Sequence, residues 1–237
     1  ADDPHTETFA AGAKSKISYF SLKHSVKSGC FCAEELIYSA KNYEVHEIMP
    51  AAAILIPGLH NVENYMAAYA ACSEYITDSA FRKVAKSFAG VPHRIELIRE
   101  KDGVKFYNDS IASSPTRTIA GLRCFTKVKP ILIAGGHDKH IPFEDLGTEI
   151  VQRVKALYLT GETAQRIKTP VLNTPGYNRL TLPIYIIDDF KQAVIAAAEA
   201  ATEDDVVILS PACSSFDKFK NFMERGNTFR EIVLGLE

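Results

Sequence analysis

Four short apolar runs, Pro130 to Ala134, Ala156 to Leu159, Ile184 to Ile187 and Val206 to Leu209, start 26, 28 and 22 residues apart. Stretches of helical spacing separate them. The interval is that of a strand plus a helix, and runs so uniformly apolar suit strands covered on both faces. Residues 91 to 237 therefore read as an α/β domain, a doubly wound, mostly parallel sheet. Its helices are expected near Ser114 to Phe125, Phe143 to Val154, Ala164 to Lys168 and Phe190 to Ala201, with Ser215 to Leu236 closing the chain. A hairpin should precede them: Arg94 to Arg99 alternates, Asp102-Gly103 signals a turn, and Val104 to Tyr107 returns.

Residues 1 to 90 have a different texture. Lys16 to Phe20 alternates as a half-buried strand does, and Ala33 to Tyr38 and Tyr43 to Ile48 are further strand candidates. From Asn61 to Ile76 the period becomes helical, with Val62, Tyr65, Met66, Tyr69, Ala70 and Cys72 near helical spacing. A second helix is expected over Ser79 to Phe88. Gly90-Val91-Pro92 then stops it and suits a domain boundary.

Composition narrows the function. The 27 basic residues do not exceed the 29 acidic ones, which argues against a sequence-blind nucleic-acid binder and against a polybasic membrane anchor. No apolar run approaches the roughly 18 residues of a membrane span. The first residues, ADDPHTETFA, have neither the basic nor the apolar region of a signal peptide. They read as the middle of a longer protein. Five cysteines at irregular spacings (Cys30, Cys32, Cys72, Cys124 and Cys213) fit free thiols in a reducing cytoplasm.

In a doubly wound sheet, ligands bind beyond the carboxyl ends of the strands. Three of those loops are chemically unusual. After the first strand of the main sheet comes Asn108-Asp109-Ser110-Ile111-Ala112-Ser113-Ser114. Asp109 is suited to ribose hydroxyls or to a cation, and the serines to capping a helix or donating to an anion. Ser114-Pro115 alone fits a plain N-cap. After the next strand come Gly135-Gly136, which free the backbone to approach a ligand, and Lys139, a point charge for a carboxylate or phosphate. His137 and His140 lack a third ligand at fixed spacing and read as solvated side chains rather than a metal pair. After the last strand, Ser210 to Asp217 is expected to open the last helix as an anion site, with Cys213 a packing residue. In the first region Asn61 and Asn64 suit an adenine edge or a helix cap, and capping is favoured for Asn61. Arg94 suits a phosphate or a local surface pair. There is no G-x-x-x-x-G-K-[ST] loop; Gly12-Ala13-Lys14-Ser15 lacks the glycine before its lysine.

Taken together, His60-Asn61-x-x-Asn64, Gly90-Val91-Pro92-His93-Arg94-Ile95-Glu96, Gly103-Val104 with Asn108-Asp109-Ser110-x-Ala112-Ser113-Ser114, Gly135-Gly136-x-x-Lys139 and the run from Ser210 to Phe229 resemble the Mur ligases. Within that family they resemble the branch that adds D-glutamate. The resemblance implies that residues 1–90 are the C-terminal part of a central ATPase domain and residues 91–237 a C-terminal, Rossmann-like amino-acid-binding domain. The family's P-loop, its modified lysine and its main Mg2+ ligands would lie upstream. The reaction implied is ATP-dependent: the carboxylate of UDP-N-acetylmuramoyl-L-alanine is phosphorylated, and the amine of D-glutamate attacks the acyl phosphate during peptidoglycan synthesis.

By the same resemblance, Asn64 and Asn61 contact adenine, Arg94 phosphate and Asp109 ribose. Ser113, Lys139, Ser215 and Phe222 hold the two carboxylates of D-glutamate, Phe222 through its backbone N–H. Ile111 stands where many members have a lysine, and Ser113 where they have threonine. No catalytic residue and no metal ligand is assigned within the chain. A cytoplasmic, monomeric protein is expected, and a chain without the P-loop is expected to be inactive alone. Two other readings compete: a stand-alone α/β module binding an anion or nucleotide, and another superfamily ligase such as a folylpolyglutamate synthase. The N-D-S and F-K-N-F strings argue against the latter.

Overall fold

In the computed structural model, which describes every residue except Ala11, the chain divides between Ala89 and Gly90 into two units. The first opens with a short helix, α1 (Pro4–Thr8), and builds a four-stranded sheet. Its strands, β1 (Tyr19–Ser21), β2 (Ser28–Ala33), β3 (Leu36–Lys41) and β4 (Glu44–Pro50), lie in sequence order. β1 runs parallel to β2, and the other pairs are antiparallel. The strand expected from Ala33 to Tyr38 is instead broken by a tight turn. Glu34 and Glu35 take φ of 50° and 62°, the left-handed pair that matches the twist of a two-residue hairpin. Asn42 and Tyr43, at 53° and 69°, turn β3 into β4 in the same way.

Two helices, α2 (Leu59–Cys72) and α3 (Asp78–Ser87), complete this unit. Val62, Tyr65, Met66 and Tyr69 recur at helical spacing on α2 and pack with Ile37, Met49 and Phe81 into one core. Thr77 caps α3, its hydroxyl accepting from the Ala80 N–H at 3.2 Å. That satisfies one of the donors a helix start leaves open.

The second unit holds a six-stranded sheet. β5 (Glu96–Lys101) and β6 (Val104–Asn108) form the hairpin expected at Asp102-Gly103. Then follow α4 (Pro115–Leu122), β7 (Ile131–Ala134), α5 (Glu144–Arg153), β8 (Ala156–Leu159), α6 (Ala164–Asn173), β9 (Ile184–Ile186), α7 (Phe190–Glu199), β10 (Val206–Leu209) and α8 (Phe222–Leu234). The strand order is β5-β6-β10-β7-β8-β9, and only β5 is antiparallel to its neighbour. From β6 the chain steps outward to β9 and then returns to insert β10 between β6 and β7.

The inner strands feed two cores. Leu132, Leu157, Leu159 and Ile208 face α4, α5 and α6 through Leu122, Leu146, Ile150 and Ile167. Ile131, Ile133, Tyr158 and Val207 face α7 and α8 through Val194, Phe229 and Val233. Truncating one such leucine to alanine typically costs about 2–5 kcal/mol.

Two helical expectations change. α6 passes through Pro170 to Asn173 rather than stopping at Lys168. Pro170 sits past the first turn, where its missing N–H costs the ladder one bond and its ring crowds the preceding turn. The last helix begins at Phe222, not at Ser215. Lys218 and Phe219 N–H groups turn back onto the Ser215 carbonyl. The chain then extends at Asn221 (φ −164°, ψ 173°), whose side chain caps the Glu224 N–H.

Candidate active site

Because β10 lies between β6 and β7, the loops that follow these three strands emerge side by side. Their backbones are stitched together. Asp109 N–H donates to Leu209 O at 2.8 Å, Ser210 N–H to Ile133 O at 3.1 Å, Gly135 N–H to Pro211 O at 2.8 Å and His137 N–H to Ser214 O at 2.9 Å. The Gly135-Gly136 pair makes this possible. At Gly136 (φ 146°) a Cβ would lie 2.3 Å from Ser214 O, and at Gly135 (φ 114°) one would lie 2.0 Å from Thr160 O. No side chain fits either approach. The buried Thr163 hydroxyl holds Gly136 from the far side, donating to its carbonyl at 3.0 Å.

The expected amino-acid residues gather on these loops. Lys139, on the surface, donates from Nζ to the Ser113 carbonyl at 2.7 Å. Ser215 is buried in the turn after β10, two residues beyond Cys213. It stands in a bend rather than at the helix start its sequence suggests. Phe222 is the first residue of α8, and its carbonyl accepts from Ser110 Oγ at 2.8 Å. Three loops and one helix start thus carry the expected residues, and the Lys139 ammonium joins two of those loops. As the first residue of α8, Phe222 has no intrahelical acceptor for its N–H.

Asp109 is placed otherwise. It is 3% exposed. One oxygen accepts from Ser210 Oγ at 2.7 Å and the other from Ile95 N–H at 3.3 Å. Beneath α4, a Cβ on Gly121 would come 2.9 Å from its Oδ2. Burial pushes the carboxyl up to about 7, against the opposing hydrogen bonds from Ser210 and Ile95. Its carboxylate therefore braces the loop before β5 rather than projecting toward a ribose. Arg94, on that loop, is exposed. Its neighbour His93 is buried, with Nδ1 accepting from Asn108 Nδ2 at 3.0 Å. Burial pushes the imidazole pKa down.

In the first unit, Asn61 is not a helix cap. The N-cap of α2 is Gly58 (φ 105°). Asn61 lies in the first turn, where its amide donates to the Pro57 carbonyl at 2.6 Å and its Oδ1 accepts from Asn64 Nδ2 at 3.3 Å. Asn61 is buried and Asn64 exposed.

One residue of the site was missed by the sequence reasoning. Arg225 on α8 is 2% exposed. Its guanidinium donates to Ser110 Oγ at 3.0 Å, Ser110 O at 2.9 Å, Cys213 O at 3.1 Å and Ser214 O at 3.1 Å. Burial pulls its pKa down to about 10. Arg225 lies within the run from Ser210 to Phe229 that carries the resemblance, without a role assigned to it, and a second signal was periodicity: Arg225, Phe229 and Val233 recur every four residues on the buried face of α8.

Cys213 is buried, with Sγ 3.1 Å from Thr163 Oγ1, and burial raises its thiol to about 11. Such a thiol is inert as a nucleophile. His137 pairs with Glu162 at 2.9 Å, and His140 lies 3.4 Å from Asp138. Among the described residues no group of three or more His, Cys, Asp or Glu side chains could hold a metal ion. Nor is any helix among them long and apolar enough to cross a membrane.

Residues 93–213 match the family model described as "Mur ligase, glutamate ligase domain". The UDP-N-acetylmuramoylalanine–D-glutamate ligase of Acetivibrio thermocellus is 48% identical over 238 residues, covering 100% of this chain and 51% of the relative. The chain spans about half the length of the curated relatives it matches. Among solved structures, the UDP-N-acetylmuramate–alanine ligase of Thermotoga maritima superposes with a TM-score of 0.60 at 16% identity, over 91% of this chain and 47% of that one. The MurF ligase of the same organism, solved with ADP, gives 0.53 at 17% identity, over 90% and 48%. At these identities the structures speak for the fold.

Proposed function

The chain belongs to the Mur ligase family, through its glutamate ligase domain, and on that premise we propose that it is the amino-acid-binding half of an ATP-dependent ligase. That ligase adds D-glutamate to UDP-N-acetylmuramoyl-L-alanine through an acyl phosphate, in peptidoglycan synthesis. The observation that carries the reading is the contact between Lys139 and Ser113 across two loops pinned to the turn that holds Ser215.

The chemistry follows from those groups. A carboxylate acylates poorly, and ATP supplies the phosphoryl group that turns its oxygen into a leaving group. The remaining task is to hold D-glutamate with its amine free, which is a matter of positioning and charge. The Lys139 ammonium and the Ser113 hydroxyl hold one carboxylate. The Ser215 hydroxyl and the Phe222 N–H hold the other. Arg94, exposed on its loop, faces phosphate oxygens, and the exposed Asn64 amide, oriented by Asn61, suits an adenine edge. Asp109 serves the nucleotide indirectly, by fixing the backbone beside Arg94. Magnesium is expected with ATP, and no ligand set for it is found among the described residues.

The test is phosphate release by the full-length ligase. It should require ATP, UDP-N-acetylmuramoyl-L-alanine and D-glutamate together, and L-glutamate should not substitute. Equal turnover with either enantiomer, or none with D-glutamate, would remove the assignment.

A further inference from the structure

Arg225 is an unusual occupant of a protein interior. A buried guanidinium ordinarily meets a carboxylate, since an uncompensated charge in a medium of low polarity is costly. Here the four hydrogen bonds end on neutral oxygens: three main-chain carbonyls and the Ser110 hydroxyl. Against the larger lowering by burial, Cys213 and then Asp217 raise the Arg225 pKa. Asp217 keeps one oxygen buried without a hydrogen-bond partner among the described residues.

The bonds also have a direction. The chain contains no cis peptide bond among the described residues, and in a trans peptide the N–H points opposite to the C=O. Drawing the Cys213 and Ser214 carbonyls toward Arg225 therefore turns the N–H groups of Ser214 and Ser215 away from it. The same guanidinium holds Ser110, three residues before Ser113. It also lies close to Gly136, where a Cβ would stand 3.1 Å from Nη1. One planar fork thus fixes two loops and backs a third, and its five-donor geometry is one a lysine cannot copy.

We propose that Arg225 is the positioning residue of the amino-acid pocket. It sets the backbone of the loops carrying Ser113 and Ser215, and it places beneath them a positive charge that a bound dicarboxylate neutralises. The inference rests on the reading of this site as a D-glutamate pocket.

The test compares Arg225→Lys and Arg225→Gln in the full-length ligase, with two readouts. Steady-state kinetics should show the D-glutamate KM rising roughly tenfold or more in Arg225→Gln, the scale of one lost charge interaction. The ATP KM should stay within about twofold, and Arg225→Lys should recover part of the loss by restoring charge without the fork. Amide hydrogen exchange, without ligand, should quicken at residues 110–113 and 213–215 in both variants. An unchanged D-glutamate KM, or equal rises for ATP and D-glutamate, would overturn the proposal. So would unchanged exchange in both loops. If the wild-type ligase shows no D-glutamate-dependent turnover, the pocket reading fails and the charge role fails with it. Exchange alone then decides whether Arg225 sets the loops.

Discussion

Lys139 Nζ sits 2.7 Å from the carbonyl oxygen of Ser113, so the ammonium of one loop closes onto the backbone of another. A carbonyl neutralises no charge. Among the described residues the same ammonium keeps two donors free, and it gains more from a carboxylate than from a neutral oxygen. On the proposed reading, that carboxylate belongs to D-glutamate.

Lys139→Ala in the full-length ligase should therefore weaken D-glutamate use. A lost charge-assisted contact is worth about 1.5–3 kcal/mol, roughly ten- to a hundred-fold in the D-glutamate KM. The ATP KM should move little. A D-glutamate KM that matches wild type would take Lys139 out of the site.

Asp109 gives a pH signature. Its folded pKa, about 7, lies above the carboxylate reference of 3.8. The folded state therefore holds this proton more tightly than the unfolded chain does. Its contribution to stability is fully present below the unfolded pKa and is lost as pH rises through about 7. Asp109→Asn mimics the neutral acid and removes that loss. Its melting temperature, relative to wild type, should climb between roughly pH 4 and pH 8. A pH-independent difference would mean that Asp109 is not protonated in the fold.

Gly136→Ala forces a methyl group to within 2.3 Å of the Ser214 carbonyl. Backbone must move on one side or the other, and overpacking of this kind costs typically about 1–3 kcal/mol. Thermal unfolding should show the loss of stability, and the surviving enzyme should have a raised D-glutamate KM. Wild-type behaviour on both counts would mean that the two loops are not held as described.

The purified chain of 237 residues contains no G-x-x-x-x-G-K-[ST] loop. Given ATP, UDP-N-acetylmuramoyl-L-alanine and D-glutamate, it should release no phosphate above background. Sustained release that depends on D-glutamate would show that this chain activates the carboxylate by itself.

The parallel sheet was legible because its strands are short, apolar and evenly spaced, and the helices because their buried residues recur with a helical period. The β2–β3 turn was hidden. Two glutamates carry no turn signature, and only their positive φ reveals it. The end of the site after β10 was half legible: the serine-rich string marked the loop, but Asn221, an ordinary cap residue six positions beyond Ser215, decides where the helix begins. Asp109 and Arg225 were harder. Charged residues are placed in solvent by composition, and whether one turns inward depends on partners distant in sequence. Ser210 is that partner for Asp109, and Ser110 and Ser214 are for Arg225.

The late insertion of β10 governs how this sheet can be made. Val206–Leu209 pairs with both β6 and β7, so the centre of the sheet stays unzipped until almost the whole unit has left the ribosome. Until then two strands present bare parallel edges, the kind of surface on which chains aggregate. Contacts so remote in sequence also form slowly. A chain interrupted anywhere before Val206 would leave that gap permanently, however sound its other strands, and proteolysis or inclusion bodies would be its expected fate.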